Sequence, residues 1–187
     1  MKSILLILIM CFSANLWAVS SWVSVGTVTQ NFLSTQKNAS GGKTVLNFAP
    51  ALFVGTTFPF FYSGTWFTPS IGYAKYSTKD NTTKNDIILQ YHLSTHLLSG
   101  LDSRFGFSNY ITTIGGNGKS LILNNGDSTA TFYSPSETKK SYTASLDLGL
   151  KLRLLSNWSF GGQFSVMRFL SSDRRSLTHI ITCDYLF

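Results

Sequence analysis

Apolar and polar residues alternate with period two over long stretches of the chain. Between residues 142 and 154, Tyr142, Ala144, Leu146, Leu148, Leu150, Leu152 and Leu154 share one face, and Thr143, Ser145, Asp147, Gly149, Lys151 and Arg153 the other. A strand of this length spans ~43 Å at ~3.3 Å per residue, more than twice the ~5–6 residues usual in soluble sheets. It suits a tilted strand crossing a bilayer, which needs ~9–11 residues with apolar groups outward and polar groups toward a lumen. Residues 85–98 repeat the pattern, with Ile87, Leu89, Tyr91, Leu93 and Leu97 opposite Gln90, His92, Ser94 and His96. Residues 158–170 repeat it again, with Trp158, Phe160, Phe164 and Val166 opposite Ser159, Gly161, Gln163 and Ser165.

Five further stretches, 21–32, 43–58, 66–76, 104–114 and 176–187, complete a set of eight strands, with Pro50 and Pro69 tolerable where local pairing allows. The connections alternate in length. Residues 58–65, 99–103 and 155–157 form the shorter set, and 34–42, 77–84, 115–139 and 171–175 the longer. That rhythm predicts an all-β fold, an eight-stranded antiparallel up-and-down transmembrane barrel with short periplasmic turns and longer extracellular loops. Two alternating runs flank Asn125 and Gly126 in the longest loop and suggest a hairpin above the membrane. Its arms are about five residues each, too short to span, so eight strands are preferred to ten. No repeat or linker marks a second domain.

Composition agrees with this architecture and removes others. The chain has 187 residues, 43% hydrophobic and only 12% charged, about half the charged fraction of a soluble domain. After residue 18 no apolar run approaches the ~18 residues of a spanning helix. Residues 1–18 have the form of a secretory signal, a basic start at Lys2 followed by the apolar run from Ile4 to Phe12, with cleavage expected near residues 18–20. The barrel is then expected over 19–187. Cys183 would be the one cysteine left, which excludes a disulfide scaffold.

The last strand carries a motif. Phe187 ends the chain, and Tyr185, Cys183 and Ile181 precede it at period two. This resembles the carboxy-terminal assembly signal of Gram-negative outer-membrane barrels. With the signal segment and the strand rhythm, the likeness extends to the small OmpA/OmpX-like eight-stranded barrels. The resemblance implies an outer-membrane location, assembly by the barrel-assembly machinery, a monomer, and a structural, adhesion or surface-interaction role. Trp22, Trp66, Trp158, Tyr185 and Phe187 fall near the expected periplasmic strand ends, as an aromatic girdle would. Of the formal charge of +7, +6 falls in the outer loops and adjoining strand ends, and Lys2 accounts for the seventh. Lys75, Lys79, Lys84, Lys139, Lys140, Arg174 and Arg175 are candidates for a rim that neutralises lipopolysaccharide phosphates, although the same charge suits a solvated loop face. Nucleic acid is not expected as a partner, since no recognition motif accompanies the charge.

The inward polar set is Gln90, His92, His96, Arg104, Asp147, Lys151, Arg153, Gln163 and Asp184, and an eight-stranded barrel is just wide enough for such side chains to fill it. Three basic residues, Arg104, Lys151 and Arg153, are balanced by Asp102, Asp147 and Asp184, so a neutral network that occludes the lumen is expected. A narrow channel for small solutes is the alternative. A second is a lipid-modifying enzyme: His92-Leu93-Ser94 resembles the His-x-Ser spacing of outer-membrane phospholipase and lipid A deacylase families, with Asn109 as a third partner. The apolar series on the same strand turns His92 and Ser94 away from lipid, so no catalytic site is expected. His92 and His96 lie ~13 Å apart along an extended chain, too far for one metal ion, and neither metal nor cofactor is expected.

Overall fold

The computed structural model describes residues 20–30, 48–60, 64–76, 83–124, 129–133, 135–171 and 175–187; the expected signal segment 1–18 lies outside them, as do Lys79 and Arg174. Among the described residues ten strands follow one another: β1 (Ser20–Gln30), β2 (Phe48–Pro59), β3 (Thr65–Tyr76), β4 (Thr83–Leu98), β5 (Leu101–Gly115), β6 (Ser120–Asn124), β7 (Thr129–Tyr133), β8 (Lys139–Arg153), β9 (Trp158–Met167) and β10 (Ser176–Leu186). Eight of them close an antiparallel barrel in the order β1-β10-β9-β8-β5-β4-β3-β2, while β6 and β7 pair only with each other. The eight-stranded barrel and the separate hairpin above it therefore stand as the residue pattern predicts. With five residues each, β6 and β7 are too short to join the wall.

Several strand ends differ from those the alternation suggests. β5 begins at Leu101 instead of 104 because the β4–β5 connection contracts to Ser99 and Gly100, with Gly100 at a φ of 79° that closes the tight turn. β8 begins at Lys139 rather than 142, and β9 stops at Met167 where Arg168 takes a positive φ of 54°. The two prolines sit as expected. Pro50 faces outward and pairs with Thr27, and the β2–β3 ladder is interrupted between Gly55↔Ser70 and Phe58↔Phe67, opposite Pro69, which has no N–H to donate.

Side-chain sorting is the reverse of that in a soluble sheet. Among the described residues, sixteen buried polar or charged side chains outnumber eleven buried apolar ones. The outer face carries large apolar groups, including Leu52, Val54, Ile71, Phe105, Phe107, Leu148, Leu150, Phe160 and Phe164, each about half exposed. An exposed apolar surface of that extent is unsupportable in water and fits a hydrocarbon surround.

The start of β1, the end of β10 and the short turns share one rim, and the opposite strand ends share the other. The short-turn rim is the one at which the aromatic girdle is expected. Trp158 and Tyr185 face outward there, with ring centroids 5.0 Å apart. Phe187 is exposed, but the other two girdle candidates, Trp22 and Trp66, do not face outward. Trp22 is 3% exposed and turned inward, and Trp66 lines the inside of the mouth, because both share strand parity with the lumen series of β1 and β3.

Interior bulk is accommodated by small residues opposite it. The Phe53 ring lies directly over Gly72, its cross-strand partner, so tightly that a Cβ at Gly72 would overlap the ring. Gly72→Ala is therefore expected to lower unfolding stability in micelles by about 1–3 kcal/mol. In a double-mutant cycle with Phe53→Leu, urea titration should give a coupling of ~0.5–3 kcal/mol. Strict additivity would show that the two residues do not compete for the same space.

Candidate functional site

The inward series divides into separate clusters stacked along the barrel axis. At the loop end, Asp86 is fully buried and its Oδ2 accepts from Gln30 Nε2 at 2.8 Å and from the Tyr76 hydroxyl at 2.7 Å. Lys84 donates to Gln30 Oε1 and lies 4.3 Å from the centroid of the Tyr76 ring. Lys84, a rim candidate in the sequence, thus belongs to the interior together with Asp86. The parity of β4 puts both on the face of Ile88, Gln90 and His92.

Below that cluster an amide and hydroxyl chain crosses the lumen. Ser70 donates to Gln90 Oε1 at 2.9 Å, Gln90 Nε2 to Gln163 Oε1 at 3.2 Å, and Gln163 Nε2 to Ser165 Oγ at 3.0 Å. The Tyr110 hydroxyl reaches the same Ser165 Oγ at 3.4 Å. Next comes the His92 cluster, fully enclosed. Asp147 Oδ2 lies 3.0 Å from His92 Nε2 and accepts from Ser108, while Oδ1 accepts from Ser145 at 2.7 Å. The carboxylate is held by one imidazole and two hydroxyls, as a buried charge requires.

The third cluster joins Lys151 Nζ at 2.8 Å and Arg104 Nη2 at 3.4 Å to the same oxygen, Asp184 Oδ2. Both cations also approach the buried Trp22 ring, at 5.5 and 5.6 Å from its centroid. A cavity of about 10 Å³, room for a single water, adjoins Trp22, Ser24, Arg104 and Asp184. The three basic and three acidic residues therefore do not form one network. Asp184 serves Arg104 and Lys151, Asp147 serves His92, and Asp102 is held by His96.

Two members of the inward set reach the mouth. His96 is half-exposed beside Trp66, whose ring centroid is 4.5 Å away. Arg153 is exposed at the same rim, two residues beyond Lys151 on β8.

The His-x-Ser arrangement is not assembled. Ser94 Oγ is 2.9 Å from Thr68 Oγ1, His92 is committed to Asp147, and Asn109 is exposed on the outer face, where the odd parity of β5 places it. His92 and His96 hold different carboxylates, so the pair does not converge on a common point.

The remaining candidates map to the surface. Lys75 and Lys140 point outward at the loop rim, and Lys139 is exposed with inward parity. Arg175 donates from Nε to the carbonyl of Phe169 at 3.2 Å and so braces the β9–β10 turn. Ile181, Cys183 and Tyr185 lie on the outward face of β10, paired with Thr27, Val25 and Val23, and the Phe187 N–H donates to the Ser21 carbonyl at 3.1 Å. His179, next in that series, faces outward and stacks on Phe164 at 4.6 Å. The residues that sequence reasoning missed, Gln30, Thr68, Tyr76, Ser108, Tyr110 and Ser145, are uncharged. Only Ser108 and Ser145 share parity with a nearby charged residue on their own strand, Arg104 and Asp147; Gln30, Thr68, Tyr76 and Tyr110 have no such neighbour within four positions.

No family model matches the chain, and no curated protein matches it. Solved structures do. Ail, the attachment invasion locus protein of Yersinia pestis, matches over 90% of this chain and 98% of its own, at 10% identity and a TM-score of 0.53. Ail in complex with the heparin analogue sucrose octasulfate matches over the same shares at 11% identity and a TM-score of 0.50. Neisserial surface protein A covers 89% of this chain and 94% of its own at 9% identity, with a TM-score of 0.48. The likeness to Ail is one of fold: this chain has the architecture of the small eight-stranded outer-membrane barrels.

The enclosed and the exposed carboxylates should respond differently to removal. Asp147→Ala strands a buried imidazole and two hydroxyls and is expected to cost about 3–5 kcal/mol. Asp102→Ala, whose His96 partner is half in solvent, should cost no more than about 1 kcal/mol. Denaturant midpoints of the two variants in micelles check the contrast, and equal losses would show that the clusters act as one network.

Proposed function

We propose that this protein resides in a bacterial outer membrane as an occluded barrel whose loop rim is its working surface. Through that rim it holds anionic lipopolysaccharide headgroups and presents its loops in a structural or adhesive role. The observation that carries this reading is the order of residues on the outer face. Tyr73, Ile87, Ile111 and Tyr142 are cross-strand partners in succession over β3, β4, β5 and β8, and form the top of the apolar belt. One step toward the loops, Lys75, Asn85, Thr113 and Lys140 form the next outward row by the same pairings.

Two tyrosines at the hydrocarbon boundary with two lysines directly above them match the chemistry of a bilayer interface. The lysines stand three strand spacings apart, about 14 Å, so they can meet two anionic groups. The heparin analogue bound by Ail is a dense polyanion, and a basic rim on a barrel of the same fold is consistent with a partner of that charge. Lumen occlusion is supported by the clusters described above, which fill the interior from the Asp86 hub to Asp184.

Each interfacial lysine contributes ~1 kcal/mol toward an anionic surface. Lys75→Gln with Lys140→Gln should therefore weaken lipopolysaccharide binding by the refolded barrel roughly thirtyfold at physiological salt. Binding to phosphatidylcholine vesicles should not change. An unaltered lipopolysaccharide affinity in the double variant would dismiss the rim as the contact. In planar bilayers the wild type should be silent, and discrete conductance would instead favour the channel.

A further inference from the structure

The loop rim leaves unexplained the opposite end of the barrel, where the interior opens into a cavity of about 190 Å³. Its lining includes Arg104, Lys151, Arg153 and Ser159, with Trp66 and Leu186 as apolar walls. From these groups we infer that the short-turn mouth is a binding site for a small oxyanion of phosphate or carboxylate type.

Charge balance is the first support. Three cations, Arg104, Lys151 and Arg153, share this end with two carboxylates, Asp102 and Asp184. Asp102 is already taken by His96, and Arg104 and Lys151 converge on a single oxygen of Asp184. Arg104 and Lys151 have side chains only 12% exposed, where an excess positive charge is poorly solvated and attracts an anion.

Unused donors are the second support. Ser159 is 1% exposed, lines this cavity, and its Oγ has no partner among the described residues; the same holds for Arg104 Nε. Lys151 has three N–H donors, of which one is directed to Asp184. Guanidinium, ammonium and hydroxyl donors on one cavity wall are the usual set for an oxyanion, which accepts from several directions at once. The space holds a phosphate or a short carboxylate with some water, since one water occupies ~30 Å³. A heparin-sized polyanion is too large to enter, which separates this site from the loop rim. Trp66 and Leu186 offer an apolar wall to whatever group bears the anion.

The test follows the Arg104 Nε–Hε NMR signal in the full chain refolded in neutral maltoside micelles, assigned with Arg104→Lys. Inorganic phosphate is added at an ionic strength held constant with sodium chloride. A saturable shift is expected, with apparent affinity about tenfold weaker in Ser159→Ala and lost in Lys151→Gln. Ser159→Ala removes only a hydroxyl and decides the matter if Lys151→Gln does not fold, the folded state being read from the migration of unheated samples in gels. A drift that does not saturate overturns the site, as does a saturating curve identical in wild type and Ser159→Ala. Nanodiscs containing phosphatidylglycerol, without added phosphate, identify the source. A signal already at its saturated position assigns a lipid headgroup, and one that moves only on adding phosphate assigns a free anion.

Discussion

Closure of the sheet through the β1–β10 ladder is the constraint on which everything else rests. Nine consecutive pairs, from Trp22↔Leu186 to Gln30↔Thr178, join the first strand to the last. In hydrocarbon an open edge would leave a row of N–H and C=O groups with no partner, each costing several kcal/mol, so a spanning sheet must close. Eight strands then set a circumference whose interior is only as wide as the side chains that fill it. Parity along each strand decides whether a residue faces out of the barrel or into it, and a charge that faces in needs partners from neighbouring strands.

The interior answers with short, self-contained clusters. Asp86, Asp147 and Asp184 are each essentially inaccessible, and each is approached by donors from strands other than its own: Gln30 and Tyr76, His92 and Ser108, Arg104 and Lys151. Because each carboxylate has its own donors, loss of one need not unbalance the next. Bulk is handled in the same local manner, the Phe53 ring occupying the space above Gly72 where any other residue would put a Cβ. A packed polar interior of this kind tolerates little slack, since an unpaired group there bears its full desolvation penalty.

Period-two alternation made the strand count, the closed antiparallel architecture and the inward direction of Gln90, His92, Asp147, Gln163 and Asp184 legible before any coordinates. What alternation leaves out is depth along the axis. Lys84 and Arg153 both have lumen parity, yet Lys84 is drawn into the Asp86 hub and Arg153 stands in the open mouth. The difference comes from the stagger between neighbouring strands, a tertiary quantity. Partner choice was hidden for the same reason. Cross-strand register brings Gly106 opposite Asp147 and Gly106 opposite His92, so a glycine on β5 opens the gap through which the imidazole and carboxylate meet. Nothing within β4 or β8 alone states that pairing. Trp22 and Trp66 were misplaced because rim position was read without parity.

One strand records the consequence for access. From the loop rim inward, the lumen face of β4 runs Lys84, Asp86, Ile88, Gln90, His92, Ser94 and His96. A charged hub comes first, then Ile88, which belongs to the buried apolar cluster that also holds Val28, Ala49, Ala74 and Met167, then the amide chain and the His92 pair. A polar solute approaching from the loops meets the Asp86 hub and these apolar side chains before it reaches the amide chain. From the short-turn side the order is reversed: a wide polar mouth leads directly to Arg104 and Lys151, and ends at the buried Trp22 ring. The two ends of one narrow barrel are thus chemically unequal: the Lys84–Asp86 hub lies toward the loops, and the Arg104–Lys151–Asp184 cluster is reached from the end that carries the short turns.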